Sequence, residues 1–474
     1  MFLRTRRIHF VGIGGIGMSG IAEVLSNLGY EVSGSDLKVT DVTRRLESLG
    51  VRVLQGHDGA HVEGAHAVVR STAIKDGNPE VEAAREHGIP VVRRAEMLAE
   101  LMRMKQGIAV AGSHGKTTTT SLLAASFEAG GLDPTVVVGG KLNSVGTNAV
   151  LGRGDWMLAE ADESDGSFLM LSPILCIVTN IDPEHMDHYG DVETLEQAFV
   201  DFMNRVPFYG AAVLCIDHPR IQKLLPRVGK RYVTYGLSSQ ADIRAVEISV
   251  KDGWSRFSVM RGEEFLGPIQ LKIPGRHNVL NALATIAASL EAEIPFPVIQ
   301  KALSRFEGVQ RRFTIRGEVN GVTVVDDYAH HPAEIRATLG AARENYDRRI
   351  VVVWQPHRYS RVADLREDFM RSFNDAHIVC VMEVYRAGED PIEGLDAESL
   401  ARELRFHGHK GAHATPTAED ARQMLEKLTR RGDVVLCLGA GDITHLSDAL
   451  VPVVAGAPDP TMEIDRPSKE ELES

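Results

Sequence analysis

The chain has 474 residues, 43% of them hydrophobic and 25% charged, with a formal net charge of −13. These are ordinary globular proportions, enough for about three domains of roughly 150 residues each. The acidic balance argues against a nucleic-acid partner, and no apolar run approaches the roughly 18 residues of a membrane span, so no membrane insertion is expected.

The start, Met1-Phe-Leu-Arg-Thr-Arg-Arg7, is basic but lacks the apolar core of a signal peptide. Cys176, Cys215, Cys380 and Cys437 each sit alone in or beside apolar runs, without disulfide or metal spacing. A cytoplasmic protein with reduced core thiols is expected. In chain order, residues 7–11 read as a strand, followed by Gly12-Ile-Gly-Gly-Ile-Gly17, a helix to residue 28 and a second strand at 31–36. Gly12, Gly14 and Gly17 match the dinucleotide fingerprint, and Gly15 keeps the loop open to close approach. Asp36 ends the next strand, where an acid can bind a ribose hydroxyl. The backbone of such a loop holds any diphosphate at a helix amino end, so NAD and a UDP-sugar are alternatives at this point.

A second glycine turn, Gly112-Ser-His-Gly-Lys-Thr-Thr118, follows the apolar run 107–111 and precedes a helical stretch at 119–128. Backbone N–H groups from Gly112, Ser113, His114 and Gly115 can converge on anionic oxygens, Lys116 can reach the terminal phosphates, and Thr117 and Thr118 bring hydroxyls, the first suited to a magnesium shell. The loop reads as a triphosphate cradle, shorter than the general pattern, which has glycine at the place of Val110. Strands are expected next at 156–159 and 174–178. The first runs into Glu160-Ala-Asp-Glu-Ser-Asp165, where Glu160, first after the strand, is the expected Mg²⁺ ligand. The second runs into Thr179-Asn-Ile-Asp-Pro-Glu-His-Met-Asp-His-Tyr189, bringing His185, Asp187 and His188 toward the same edge. Two histidines without a cysteine or glutamate at a typical spacing make a weak zinc site, and a magnesium or acid–base role for His185 suits a phosphate setting better.

Alternation around Asp252-Gly253 predicts an antiparallel hairpin. Gly275-Arg-His-Asn-Val279 opens a helix on which His277, Asn278 and Asn281 offer imidazole and amide edges, with capping as the alternative role for Asn278. Beyond residue 312, apolar strands are expected at 322–325, 350–354, 378–382 and 434–438. Two of them end in Val325-Asp-Asp-Tyr-Ala-His-His-Pro332 and Trp354-Gln-Pro-His-Arg-Tyr-Ser-Arg361. Strand ends line clefts in open α/β sheets, and Arg358 and Arg361 can each clamp a carboxylate or phosphate. Proline, acids and serine predominate after residue 455, which predicts a disordered tail over 456–474. The expected architecture is α/β in three successive domains: Rossmann-like at 1–105, a central P-loop ATPase-like parallel sheet at 106–312, and Rossmann-like again at 313–455, with hinges near 105 and 312.

Five motifs in order, Gly12-Ile-Gly-Gly-Ile-Gly-Met-Ser-Gly20, Gly112-Ser-His-Gly-Lys-Thr117, Glu160-Ala-Asp-Glu-Ser164, Asp326-Asp-Tyr-Ala-His-His-Pro332 and Gln355-Pro-His-Arg-Tyr-Ser-Arg361, resemble the Mur ligase family of peptidoglycan-precursor enzymes, and within it the alanine-adding branch. The resemblance runs from about residue 7 to 450. It implies an ATP-dependent ligation of L-alanine to the lactyl carboxylate of UDP-N-acetylmuramate, with ATP and Mg²⁺ required, no nicotinamide, and a monomer or homodimer. By the same resemblance Gly12 to Gly17 hold the UDP diphosphate, Lys116 and Thr117 serve ATP and magnesium, and Glu160 and His185 hold Mg²⁺. His277, Asn278 and Asn281 would lie near the adenine nucleotide, and Arg312 would meet the phosphates. His357, Arg358 and Arg361 would sit near the amino acid and the reacting carboxyl group, and His185 or His188 would influence proton transfer. Serine stands at 113 where threonine is usual, which keeps the hydroxyl. The metal-bridging modified lysine of other branches has no counterpart in Val200-Asp-Phe-Met-Asn-Arg205, in agreement with the alanine-adding branch. The rival readings are a ligase that recycles a tripeptide onto the same UDP-sugar, an NAD-dependent oxidoreductase, which would leave Gly112 to Thr117 without a task, and a non-catalytic nucleotide-gated interaction protein, which would leave the arginines and histidines at the third domain's strand ends unexplained.

Overall fold

A computed structural model describes residues 6–71, 73–75, 77–138 and 149–454, so the expected tail at 456–474 lies outside the described residues. The helices and strands form three α/β sheets in succession along the chain.

The first sheet has five parallel strands in the order Arg52–Gln55, Glu31–Asp36, Arg7–Val11, Ala67–Arg70, Val91–Arg93. Strands are added on one side of Arg7–Val11 and then on the other, so the first glycine loop leaves the sheet at the point where strand order reverses. Open α/β sheets have their crevice there. Ile8, Phe10 and Val11 are fully buried or nearly so, which fixes the strand in the middle of the layer.

The second sheet has ten strands, ordered Glu264–Leu271, Trp254–Arg261, Ile243–Lys251, Tyr232–Gly236, Ala211–Cys215, Leu175–Val178, Gln106–Ala111, Trp156–Glu160, Thr135–Val137, Ala149–Val150. From Tyr232–Gly236 to Thr135–Val137 the neighbours are parallel. Gln106–Ala111 lies between the two strands that carry the acidic and histidine motifs. Its Ile108, Ala109, Val110 and Ala111 have no exposed surface, as expected of a strand covered on both faces. The expected hairpin is present, with Asp252 at φ 56° and Gly253 at φ 79° joining Ile243–Lys251 to Trp254–Arg261.

The third sheet is ordered Thr314–Val319, Val322–Asp327, Val434–Leu438, Ile350–Trp354, Ile378–Val381, Ala412–Ala414, antiparallel in its first pair and parallel elsewhere. The last strand of the chain inserts near the middle, with an antiparallel strand at one edge of a doubly wound parallel core. Val352 and Trp354 pack into one hydrophobic layer and Val351 and Val353 into the other. Trp354 anchors the first layer against Phe369 and Phe373, at ring separations of 5.2 and 4.9 Å.

By internal contacts the described residues form two compact units, one of those within 6–248, 256–272 and 277–310, the other of residues 249–255, 273–276 and 311–454. Arg312, expected at the end of the central domain, therefore belongs to the unit of the third sheet. All four cysteines are buried, and burial pushes the Cys215 and Cys380 thiols up to about 12. No helix among the described residues is long and apolar enough to cross a membrane.

Candidate active site

Gln106–Ala111 delivers the chain into the second glycine turn, and helix Lys116–Ala129 begins directly after it. Gly115 caps that helix with φ 85°, and a Cβ there would lie 2.5 Å from Asn281 Oδ1, so both backbone angle and space call for glycine. Asn281 belongs to helix Arg276–Glu291, which meets Lys116–Ala129 through polar side chains. Thr119 Oγ1 donates to Asn281 Oδ1 at 3.3 Å, Asn281 Nδ2 donates to Asn278 Oδ1 at 3.2 Å, and the Ser126 and Ser289 hydroxyls are 2.9 Å apart. Thr120 and Ser121 donate back to the Lys116 and Thr117 carbonyls, so these buried hydroxyls are satisfied within their own helix. Of the three residues named on the later helix, Asn281 is thus buried against the phosphate loop and Asn278 is buried beside it, accepting from the Asn281 amide. His277 is half-buried on the same helix.

The other flank of the loop is held by the segment after Leu175–Val178. Asn180 Oδ1 accepts the His114 N–H at 2.7 Å and its Nδ2 donates to the His114 carbonyl at 3.0 Å. Thr179 Oγ1 donates to the same carbonyl at 2.6 Å, and the Ser113 hydroxyl accepts the Asp182 N–H at 2.8 Å. The Ser113 N–H donates to the Asn180 carbonyl at 3.2 Å, so the Ser113 and His114 amides, expected at the phosphates, are both taken by Asn180, and the Ser113 hydroxyl also braces the loop.

Lys116 Nζ lies 2.7 and 2.8 Å from the two oxygens of Glu163 and 2.6 Å from the Gly112 carbonyl oxygen. Burial disfavours its charge, but the Glu163 carboxylate more than offsets that, so the ammonium is held with its pKa raised. Nothing in the sequence sets Glu163 apart within the acidic run, although it is the acid in that run that Lys116 touches. The strand Trp156–Glu160 runs one residue farther than expected, so Glu160 is its last residue and not the first after it. Its register partner is Val110, two residues before the loop. His185 takes a left-handed backbone, φ 59°, which brings its Nε2 to 3.7 Å from Glu184 and 4.0 Å from Glu163. His188 is exposed, edge-on to Tyr189, and a Cβ on Gly166 would lie 2.9 Å from its Nε2. His114 Nε2 is 3.3 Å from Asp182 and 3.2 Å from Glu184, and His218 Nε2 is 3.6 Å from Asp182. Burial would raise the Asp182 carboxyl, but the two histidines hold it well below the usual range. The Thr117 hydroxyl in the first helical turn and the Glu160 carboxylate at the adjoining strand end are the one or two hard oxygen donors that Mg²⁺ takes from protein, so the donor set fits that ion.

In the first sheet, the Gly12 and Ile13 amides donate to the Ser35 carbonyl, each at 2.9 Å. The Asp36 carboxylate braces the loop: its Oδ2 accepts the Gly14 N–H at 2.9 Å and its Oδ1 the Lys38 N–H at 3.3 Å. A carboxylate offers about four acceptor sites, so this bracing role leaves acceptor capacity at a position suited to a ribose hydroxyl. Beneath the loop, the Ser35 hydroxyl donates to Glu80 Oε2 at 2.5 Å. Glu80 also meets His57 Nδ1 at 2.8 Å, His61 Nδ1 at 2.7 Å and His9 Nε2 at 3.4 Å. Glu80 and His9 have no exposed surface. Burial raises the Glu80 pKa, but the hydrogen bonds from His9, Ser35, His61 and His57 outweigh it and hold the carboxyl at about 2.

In the third sheet, Gln355 follows Ile350–Trp354 and ties Asp442 and the Ile443 amide to the strand end, at 2.6 and 3.1 Å. His357 stacks on Tyr385 at 5.4 Å and lies edge-on to His330 at 5.9 Å. Arg361 Nη1 is 3.3 Å from His357 Nδ1. A guanidinium only donates, so that nitrogen accepts and Nε2 carries the proton. His330 Nδ1 lies 3.0 Å from the Tyr328 carbonyl oxygen, which only accepts, so the lone pair of His330 is on Nε2. Burial pushes both imidazoles down to about 4, with Arg361 adding to the effect, and both are neutral at pH 7. Arg358 has φ 68° and an exposed side chain. Arg312 pairs with Glu334 at 3.4 Å and covers the Tyr328 ring at 5.3 Å.

The Mur ligase family matches three successive stretches: its catalytic domain residues 7–106, its middle domain residues 110–289, and its glutamate ligase domain residues 311–441. The chain is 58% identical to a UDP-N-acetylmuramate–L-alanine ligase of Anaeromyxobacter sp. (strain Fw109-5), covering 94% of this chain and 98% of that protein. The crystal structure of the UDP-N-acetylmuramate-alanine ligase of Thermotoga maritima superposes with a TM-score of 0.78 at 31% identity, covering 94% and 98% of the two chains. A murein peptide ligase of Psychrobacter arcticus shares the fold, with a TM-score of 0.68 at 24% identity over 95% and 99%. The chain belongs to the Mur ligase family.

Proposed function

We propose that this chain joins L-alanine to the lactyl carboxylate of UDP-N-acetylmuramate at the expense of ATP, in the cytoplasm, as a step of peptidoglycan precursor synthesis. The substrate assignment draws on the near full-length similarity to ligases of that name. The observation that carries the chemistry is Lys116, kept charged by buried Glu163 at the amino end of the helix that leaves the glycine turn.

A carboxylate is a poor acyl donor, so it must first gain a leaving group. The lactyl carboxylate attacks the γ-phosphorus of ATP, the bond to the bridging oxygen breaks, and ADP departs, leaving an acyl phosphate. The deprotonated amine of L-alanine attacks the carbonyl, and collapse of the tetrahedral adduct releases phosphate. Lys116 offsets the charge that gathers on the transferring phosphoryl group, and the helix amino end at Gly115 and Lys116 shares that load. Mg²⁺, held by Thr117, Glu160 and His185, would supply Lewis-acid polarisation of the phosphate oxygens. Asn281 fixes the turn through Gly115 and Thr119. In the third sheet, Arg358, Arg361 and the Nε2–H of His357 suit the carboxylate of an amino acid, while neutral His330 offers a lone pair to its ammonium proton.

Phosphate release with UDP-N-acetylmuramate, ATP and Mg²⁺ tests the proposal, run with L-alanine, glycine, L-serine and the recycled tripeptide in parallel. Turnover with L-alanine and an amide product of matching mass is expected. Turnover with the tripeptide alone would transfer the chain to the recycling branch.

A further inference from the structure

The last glycine of the first loop ordinarily makes room for close helix–strand packing. Here Gly17 seats an arginine: a Cβ at that position would lie 2.9 Å from Arg94 Nη1 and 3.0 Å from its Cδ. Arg94 opens helix Arg94–Arg103, which carries the chain from the first sheet to the second. Its Nη2 donates to Asp162 Oδ2 at 3.2 Å, within the acidic run. Asp162 Oδ1 accepts the Ser164 N–H at 3.1 Å, and between these two residues stands Glu163, the carboxylate that holds Lys116. Beyond the run, at the end of the short helix Ser167–Met170, neighbouring Arg93 reaches Met170 Sδ at 3.9 Å. A continuous series of contacts therefore runs from the first glycine loop through Arg94 and the acidic run to the lysine of the second, all within one compact unit.

A cation beside the first turn of a helix is disfavoured, because the backbone dipoles already place positive charge there. Helix Ile16–Asn27 has no acid in that turn to compensate. Packing on a glycine does not call for a guanidinium. Bridging does, since its planar fork can rest on one loop and donate to the other, which a lysine point charge does poorly.

We propose that Arg94 is a positioning residue that couples the two substrate sites: it sets the acidic run, and with it the Glu163–Lys116 pair, against the sugar-nucleotide loop, so that occupancy of one loop is read at the other. This rests on the reading above, in which the first loop holds UDP-N-acetylmuramate and the second ATP. Reciprocity follows, because a coupling between two ligands changes both affinities by one factor.

The test is calorimetry with UDP-N-acetylmuramate and with a non-hydrolysable ATP analogue plus Mg²⁺, each titrated alone and in the presence of the other, on the full chain and on Arg94→Ala, Arg94→Lys, Asp162→Asn and Arg94→Ala/Asp162→Asn. In the unaltered protein each ligand should tighten the other by at least about fivefold. Arg94→Ala and Asp162→Asn should each keep both separate affinities within about threefold, reduce the coupling factor toward one and lower kcat, and the double variant should be no worse than either single. Arg94→Lys should recover only part of the coupling. Loss of UDP-N-acetylmuramate affinity in Arg94→Ala with coupling intact would make Arg94 a simple ligand contact and overturn the proposal. So would additive effects in the double variant, or no coupling in the unaltered protein. Asp162 is half-exposed, so its variant decides the question even if Arg94→Ala does not fold. Failure of the unaltered chain to bind UDP-N-acetylmuramate at all would instead defeat the parent reading.

Discussion

The pair Lys116–Glu163 lets catalysis and stability be separated. Replacing Lys116 by methionine keeps the side-chain volume but leaves Glu163, whose side chain is 3% exposed, without its counter-charge. Removing one partner of a buried ion pair costs about 3–5 kcal/mol. The Lys116 side chain is 19% exposed, which puts the expected loss at the lower end, about 3 kcal/mol. Changing both residues, Lys116→Met with Glu163→Gln, removes the stranded charge and should restore most of that stability. Activity should behave differently: loss of the ammonium removes a transition-state contact worth at least about a hundredfold in kcat, or about 2.7 kcal/mol, and the double change cannot return it. Denaturant unfolding can be followed through Trp156, whose ring lies 5.3 Å from Phe127 on the phosphate-loop helix, alongside phosphate release and calorimetry with the UDP-sugar, whose binding should persist. If Lys116→Met is as stable as the unaltered chain, the pair is not an energetically buried one. If Lys116→Met turns over normally, the phosphate loop is wrongly assigned.

Glu160→Gln should keep the fold and raise the magnesium concentration for half-maximal rate by at least about tenfold, because an amide is a weak ligand for a hard cation; an unchanged titration would move the ligand to another acid of the run. Arg361→Ala should lower kcat/KM for L-alanine by about tenfold to a hundredfold while the affinities for ATP and the UDP-sugar stay put, and a collapse of ATP binding with unchanged alanine saturation would reassign the third-sheet arginines to the nucleotide. Glu80 has its pKa lowered from 4.5 to about 2 in the folded chain. It therefore stabilises above the ordinary carboxylate range, and about 3 kcal/mol should be lost as pH falls from about 5 to 2. Glu80→Gln should flatten unfolding measurements across that window, and an unchanged pH slope would show that other carboxylates dominate it.

The parts legible in the sequence are those in which chemistry and local pattern coincide. The apolar run before Gly112 and the Lys-Thr pair after it mark strand, turn and helix within a few residues, and the alternation around Asp252-Gly253 marks a hairpin. Asn281 is different. It lies more than 160 residues from Gly115, and only its fit into the space a Cβ would fill brings it to the loop, so no local pattern reveals the contact. Glu163 escapes sequence reading for a related reason: with a strand expected to end at 159, the first acid after it draws attention, whereas the strand runs to 160 and the lysine turns toward the third acid. The insertion of Val434–Leu438 between Val322–Asp327 and Ile350–Trp354 depends on pairing among distant strands, which hydrophobic periodicity does not encode.

Asp36 bears on attempts at redesign. In dinucleotide enzymes the acid at this place chooses between NAD and NADP, and replacing it by a neutral or basic residue is a route to altered cofactor preference. In this chain the same carboxylate is an internal strut, since it receives the amide of Gly14. The familiar exchange would leave a backbone donor of the loop without its acceptor, so grafting cofactor choice onto this scaffold has to begin by rebuilding the turn, and libraries aimed at position 36 alone would be enriched in loosened loops before any new specificity appeared.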